Sequence, residues 1–346
     1  MWVKQSRKDS LCRVENLARR NGCAEVCVDK KPSNFEPYRF TLSAKFEQLA
    51  RDELREEPEI REQSLTQLRD WIAKHPYIRK CRTDAVFLLR FLRFRKFSVP
   101  QAQAAIERYL AMRQTFPDWF QKLDSTEGQI LETVDEELMT VMGRDEAGRT
   151  LVWIRFGRVN EERLNPIAIF RYLMIFLEVL LDDEEVQVGG FRILVDYSDS
   201  TLKQYGMWGI SDFKLLMDAV NRSMPFRIRE IHAVKLPRFA VAIANVMLSF
   251  ATPKFKERIF CHSTVLESKS HFDESLWPKQ YGGPQDSFEL NRALRKLFCE
   301  KRAALLALDD MDIDVEHYSS LWNQSGPNNS DIDGGIAGCF RKLNVD

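Results

Sequence analysis

The chain has no apolar run long enough to cross a bilayer. Spanning takes roughly 20 apolar residues, and the clearest uncharged stretch, Phe239 to Ala251 (FAVAIANVMLSFA), falls short of that. A membrane-spanning segment is therefore excluded, which leaves an ordinary buried helix or a movable cover over an apolar space. The opening residues (MWVKQSRKDSLCRVENLARRNG) are charged throughout and lack the apolar core of about 7 to 15 residues that a secretory leader needs, so the cytosol is the expected compartment. Seven cysteines, odd in number and scattered, argue for free thiols rather than a disulfide framework. The catalytic signatures of α/β enzymes are missing: there is no G-x-S-x-G, no glycine-rich phosphate loop and no H-E-x-x-H. Nor do the five histidines, His75, His232, His262, His271 and His317, fall at a metal-ligand spacing. Each is expected to be a surface or hydrogen-bonded residue, and no metal or cofactor is assigned. The acidic run Asp182 to Glu185 reads as a solvated helix end.

What the chain does have is local charge. Its formal total is zero, yet Arg222, Arg227, Arg229, Lys235, Arg238, Lys254, Lys256 and Arg258 stand within one stretch against only Glu230 and Glu257. An anion-seeking surface is implied. Arg227 and Arg229, two apart, project to one face of a strand, while Lys254 and Arg258, four apart, share one helix face. Four such cations in one shallow site suit a multiply phosphorylated headgroup, since arginine offers phosphate a bidentate fork and lysine a point charge. The plainer alternative is a solvated basic face. Between these charges the run from Phe239 to Ala251 forms a greasy helix with a thin polar stripe at Asn245 and Ser249.

With 44% hydrophobic and 29% charged residues the 346-residue chain can bury a sizeable core, as one large domain with a smaller one. Residues 1 to 42 lack a sustained period and read as an accessory or disordered arm. From 43 to 125 a helical subdomain is expected: Leu49, Leu54, Ile60, Leu65, Leu68 and Ile72 lie among charges at helical spacing, Thr83 is placed to cap a helix burying Phe87, Leu88, Phe91 and Leu92, and another helix runs from Pro100 to Phe116. From 126 to 285 short, nearly continuous apolar strands (Thr150 to Phe156, Phe191 to Tyr197, Ile228 to Val234) alternate with helices, one opened by Asn165 and Pro166 and one by Ser211. That alternation predicts an α/β domain with a mainly parallel or mixed sheet. Residues 286 to 346 read as one more helix and a polar, disordered tail.

The same residues carry a resemblance. Residues 83 to 283 resemble the CRAL-TRIO lipid-binding proteins of the tocopherol-transfer, retinaldehyde-binding and clavesin group. The likeness rests on Asp84 to Phe97 (DAVFLLRFLRFRKF), Gly148-Arg149, Asp196 after the central strand, Pro225 to His232 (PFRIREIH), Lys254 to Ile259 (KFKERI) and Tyr281-Gly282-Gly283. It implies an N-terminal helical subdomain, an α/β/α lipid-binding domain and a mobile lid helix after Pro237, with Phe239, Ile243, Met247 and Phe250 on the lid. It further implies a phosphoinositide headgroup bound at Arg227, Arg229, Lys254 and Arg258. Arg93 matches another basic position, supporting either that surface or the subdomain interface. By the resemblance together with the helical stripes, the cavity lining is expected from Phe170, Leu173, Leu177, Phe191, Val195, Trp208, Leu216, Val220, Met224, Ile228 and Ile231; the plain alternative for each is core packing. The chain departs from the family pattern at Lys235-Leu236-Pro237, at Ser263 after His262, and at the small lid residues Ala240, Ala244 and Ala251, so a ligand different from the tocopherol carrier's is expected.

The expected function is an intracellular, non-enzymatic carrier. It would hold a small hydrophobic ligand under the lid and exchange it as a monomer at phosphoinositide-containing endosomal, Golgi or plasma membranes, with no nucleic-acid partner. The rivals are a scaffold that uses the same fold to hold a partner protein, and an α/β hydrolase or transferase with an unrecognised nucleophile.

Overall fold

The computed structural model describes residues 26–35 and 37–318. The outer part of the expected N-terminal arm, the expected C-terminal tail, and Cys12, Cys23 and Cys339 lie outside the described residues. Among those described, Cys27, Cys81, Cys261 and Cys299 are free thiols.

Residues 26–35 and 37–42 form no helix or strand, but they are tied down. Lys30 donates to the carbonyls of His75 and Ile78, Arg61 stacks over Phe40, and Arg69 stacks over Phe35. The helical subdomain follows as α1 (Ala44–Leu54), α2 (Pro58–Lys74), the short strand β1 (Ile78–Lys80), α3 (Ala85–Phe94) and α4 (Val99–Thr115). Proline in the first turns of α2 and α4 leaves no helical hydrogen bond unmade, because those amides would be orphans anyway. The cap of α3 is Asp84, whose carboxylate accepts from the Phe87 amide; Thr83, expected in that role, turns its hydroxyl to the carbonyl of Asp29 instead. A carboxylate one residue nearer the helix outcompetes the hydroxyl.

The α/β domain consists of β2 (Met139–Arg144), β3 (Thr150–Arg155), α5 (Pro166–Leu180), α6 (Glu184–Gly189), β4 (Phe191–Asp196), α7 (Leu202–Gly206), α8 (Ile210–Asp218), β5 (Ile228–Val234), α9 (Ala240–Ser249), the single turn α10 (Pro253–Lys256) and β6 (Ile259–His262). The long helix α11 (Ser287–Ala307) and the strand β7 (Asp312–Ile313) close the chain, β7 pairing antiparallel with β1 and so tying its end to the helical subdomain. One five-stranded sheet runs β2-β3-β4-β5-β6, with β2 antiparallel to β3 and every other neighbour parallel. This is the mixed sheet that the alternation of elements predicts. Helices and loops cover both faces of its central strands, whose apolar residues are joined on one face by Arg192, Glu230 and His232. One face carries Trp153 and Leu194 into a cluster with Phe272, Leu276, Trp277 and Leu290, and the other faces α5 and α8.

Local chemistry agrees with these boundaries. Asn165 accepts from the Ala168 amide and opens α5 ahead of Pro166. The helix expected from Ser211 begins a residue earlier, where the Asp212 carboxylate accepts from the Gly209 amide. It ends in a π turn, Ala219–Ser223. At Gly189 a Cβ would lie 2.0 Å from the Gly148 carbonyl oxygen, so only glycine lets α6 pass the β2–β3 turn this closely.

The acidic run is the main correction to the sequence reading. Asp182 pairs with Arg90 and Lys301, Asp183 and Glu185 both pair with Arg144, and Glu184 pairs with Arg93. Asp182 and Glu184 thereby anchor the helical subdomain, Asp183 and Glu185 hold β2 within the α/β domain, and none of the four faces water freely. A solvated run and a paired one look alike in sequence, because the arginines and the lysine arrive from positions roughly 40 to 120 residues away.

Candidate functional site

The four cations expected at the headgroup site fall at one end of the sheet. Arg227 lies just before β5 and Arg229 is its second residue; Lys254 is on α10 and Arg258 directly precedes β6, the neighbouring strand. Arg227 donates to the Val188 carbonyl and Arg229 donates through Nε to the Gly189 carbonyl at 3.0 Å. Both acceptors end α6, where the helix leaves carbonyls unsatisfied. Arg258 donates to the Ile228 carbonyl at 2.5 Å. Lys254, Lys256, Lys235 and Arg238 are exposed.

A carboxylate sits among these guanidinium groups. Glu53, the penultimate residue of α1, accepts through Oε2 from Nη2 of Arg227 at 2.9 Å and from Nη2 of Arg229. Burial works to raise the Glu53 pKa, but the hydrogen bonds from Arg229 and Arg227 outweigh it and hold the group below its ordinary value. Arg227 falls to about 10 through burial first and the charge of Arg229 second, against the pull of Glu53. Arg258 is lowered by burial and by Arg229. Three mutually repelling guanidinium groups therefore share a corner with one carboxylate, and a further negative group would be stabilised there.

Arg93 is not part of that corner. It is completely buried, forks onto both oxygens of Glu56 at 2.8 Å, and also donates to Glu184 and Gln187. Of the two places considered for it, the structure puts it at the subdomain interface, out of reach of a headgroup. The resemblance marked Arg93 as a basic position but could not show which carboxylates meet it.

The expected cavity residues divide in two. Phe170, Leu177, Phe191, Met224 and Ile228 are buried in the core, Phe170 between Trp119 at 3.8 Å and Trp208 at 5.3 Å. Leu173, Val195, Trp208, Leu216, Val220 and Ile231 are only half-buried. Ile193 shares that state and lies between Val152 and Ile231 in the sheet register, as Val195 lies between Ile154 and Ala233. An interior strand flanked on both sides in its sheet, with α5 and α8 packed over that face, would ordinarily be sealed; here it keeps accessible apolar surface. Sequence reasoning missed Ile193 and Ile154, although alternation from Phe191 through Val195 marks the former.

Helix α9 packs against α7 and α8. Ile243 and Met247 are half-buried, and Met247 packs against the main core. Phe239, Val241, Val246 and Phe250 are exposed, Phe239 meeting Tyr205 edge-on at 5.3 Å. Among the described residues no helix is long and apolar enough to cross a membrane. Behind the sheet His232 is buried, its Nδ1 2.9 Å from His262 and its Nε2 3.1 Å from Glu230. Tyr281 donates to Asp196, which joins two of the signature positions, and Gly283 is required because a Cβ there would lie 2.0 Å from the Trp277 carbonyl oxygen.

Comparison with known proteins agrees with this architecture. Residues 135–283 match the CRAL/TRIO domain and residues 57–130 match the Pinta-like UBA domain. Clavesin-1 of Pongo abelii is 31% identical over 258 residues, 74% of this chain and 73% of the relative. Clavesin-2 of Rattus norvegicus is 29% identical over 285 residues, 82% and 86% of the respective chains. The crystal structure of Sfh5 superposes with a TM-score of 0.41 at 10% identity, over 76% of this chain and 100% of that one.

Proposed function

The chain belongs to the CRAL/TRIO family of lipid-binding proteins, in the clavesin group, and we propose that it carries a small hydrophobic ligand against the open apolar face of its sheet. In this reading residues 126–285 form the lipid-binding domain, residues 43–125 its helical support, and α9 the lid. The carrying observation is the half-buried apolar row Leu173, Ile193, Val195, Leu216, Val220 and Ile231, on α5, β4, β5 and the α8 segment against which α9 packs. An alkyl ligand of about fifteen methylenes would gain on the order of 10 kcal/mol by leaving water for such a surface, at roughly 0.8 kcal/mol each.

Exchange takes place at a membrane bearing phosphoinositides. Arg227, Arg229, Lys254 and Arg258 bind the headgroup, each cation contributing about 1 kcal/mol near an anionic surface. The exposed apolar residues of α9 then meet acyl chains, the lid trades protein contacts for lipid contacts, and the ligand passes without crossing water. No bond is made or broken. The protein acts as a monomer, associating peripherally with endosomal, Golgi or plasma membranes.

The double variant Arg227→Ala, Lys254→Ala tests this. It is expected to sediment several-fold less with vesicles containing phosphatidylinositol bisphosphate and to transfer ligand more slowly between vesicles, while ligand extracted from the purified protein is unchanged. Unaltered vesicle binding would remove the headgroup site from the proposal. Protein that yields no apolar molecule on extraction and transfers none would remove the carrier.

A further inference from the structure

Glu53 occupies the centre of the anion site with the protein's own charge, and we infer that it is a specificity-determining residue, a built-in competitor that sets how much negative charge a headgroup must carry. The inference rests on the headgroup site proposed above and concerns which headgroups that site admits.

The geometry has three parts. First, each arginine is held by a backbone carbonyl through one nitrogen, Arg227 by Val188 and Arg229 by Gly189, and each aims Nη2 at the same oxygen of Glu53. The two donors converge on one oxygen-sized position that stays built when the carboxylate leaves. Second, Glu53 and Glu56 flank the end of α1 but are held differently. Glu56 is 3% exposed and locked bidentate by Arg93, while the Glu53 side chain is 34% exposed. Glu53 can therefore swing into water by its own rotamers while Glu56 keeps the turn in place. Third, Arg258 donates to the carbonyl of Ile228, the residue between Arg227 and Arg229, which sets a third guanidinium beside the pair. A group with more oxygens than a carboxylate can engage this third cation as well.

A singly charged phosphodiester or carboxylate headgroup exchanges like for like with Glu53 and gains little. A phosphomonoester carries about −1.5 to −2 charges and three acceptor oxygens. It outbids a carboxylate at two converging donors and reaches toward Arg258. Glu53 thus admits phosphomonoesters on an inositol ring and rejects the bulk anionic lipids of a cytosolic leaflet. The same chemistry exists free in solution as inositol phosphates.

The test compares the full chain with Glu53→Gln, which keeps a hydrogen-bond acceptor toward the arginines and removes the charge. Glu57→Gln, an exposed carboxylate four residues on that pairs with Arg51, controls for net charge. Vesicles of phosphatidylcholine carrying either phosphatidylserine or phosphatidylinositol bisphosphate are sedimented with each protein, and soluble inositol trisphosphate is titrated by calorimetry. The wild type is expected to bind bisphosphate vesicles and not serine vesicles. Glu53→Gln is expected to bind bisphosphate vesicles about fivefold more tightly and to gain binding to serine vesicles, with Glu57→Gln unchanged. Tighter binding of soluble inositol trisphosphate by Glu53→Gln in the same proportion assigns the gain to the phosphates, and a gain on vesicles alone assigns it to lipid-borne headgroups. A Glu53→Gln protein that melts normally and matches the wild type on all probes overturns the inference while leaving the headgroup site intact. Wild type and variant both failing on every phosphoinositide probe overturns the headgroup site and the inference with it.

Discussion

Arg93 shows how the fold decides between two places that the sequence left open. Its guanidinium is buried with Glu56 and Glu184, two carboxylates that are themselves nearly inaccessible. Removing the arginine leaves both without a counter-charge in a region that water cannot reach, a loss of roughly 3–5 kcal/mol. Arg93→Ala is therefore expected to lower the unfolding free energy from denaturant titration by that much, or to fail to accumulate as folded protein. Arg93→Lys is expected to keep part of the stability and to bind phosphoinositide vesicles as the wild type does; weakened vesicle binding at unchanged stability would return Arg93 to the headgroup site. What the sequence could show here was the position. Burial and pairing depended on Glu56 and Glu184, which lie 37 and 91 residues away. Glu53 escaped notice for the same reason: on α1 it is one acid among several, and only the fold carries it to Arg227 and Arg229.

At the scale of elements the sequence was more informative, because strands and helices are set by near neighbours. The apolar runs at 150–156, 191–197 and 228–234 appear as β3, β4 and β5 within a residue of their expected ends, since glycines and turn residues bound them locally. Caps were less legible: Asp84 in place of Thr83, and Gly209 in place of Ser211, turn on which of several adjacent polar groups reaches the first amides. The uncharged run was visible as the helix α9, but not the division of its faces. Phe239, Val241, Val246 and Phe250 point to solvent, and Ile243 and Met247 point inward. Exposed apolar residues on a helix this short add nothing to folding and are suited to a lipid surface. Val241→Ser with Phe250→Ser is expected to leave thermal stability within about 0.5 kcal/mol and to slow ligand transfer between vesicles several-fold. Ile243→Ser with Met247→Ser is expected to lower ligand retention instead. A transfer assay and a melting curve on each pair separate the two faces, and equal effects from both would refute the division.

Across the whole molecule, stability depends on charges taken out of water, and this makes acid the informative variable. His232 is buried against Glu230, Arg192, His262, Phe260 and Phe272. Burial pushes its pKa down to about 4, with the charge of Arg192 adding to the shift and the hydrogen bond to Glu230 opposing it. His262 is lowered by burial and by His271. The unfolded chain takes up these protons near pH 6.5 and the folded protein does so only at lower pH, so the unfolded state binds more protons in between and stability falls as pH drops through that window. The carboxylates act lower down. Asp84 and Asp182 are held below their ordinary values because Arg82, Arg90 and Lys301 outweigh the opposing effect of burial. Their contribution is full above the unfolded carboxylate pKa and is lost as pH falls below about 4. The melting temperature is thus expected to decline in two steps, a shallow one from pH 7 to about 4.5 and a steeper one beneath it. His232→Asn is expected to flatten the first step and leave the second. A variant whose melting temperature follows the wild type through the first step would show that neither the burial of His232 nor its bond to Glu230 governs the mild-acid response of this fold.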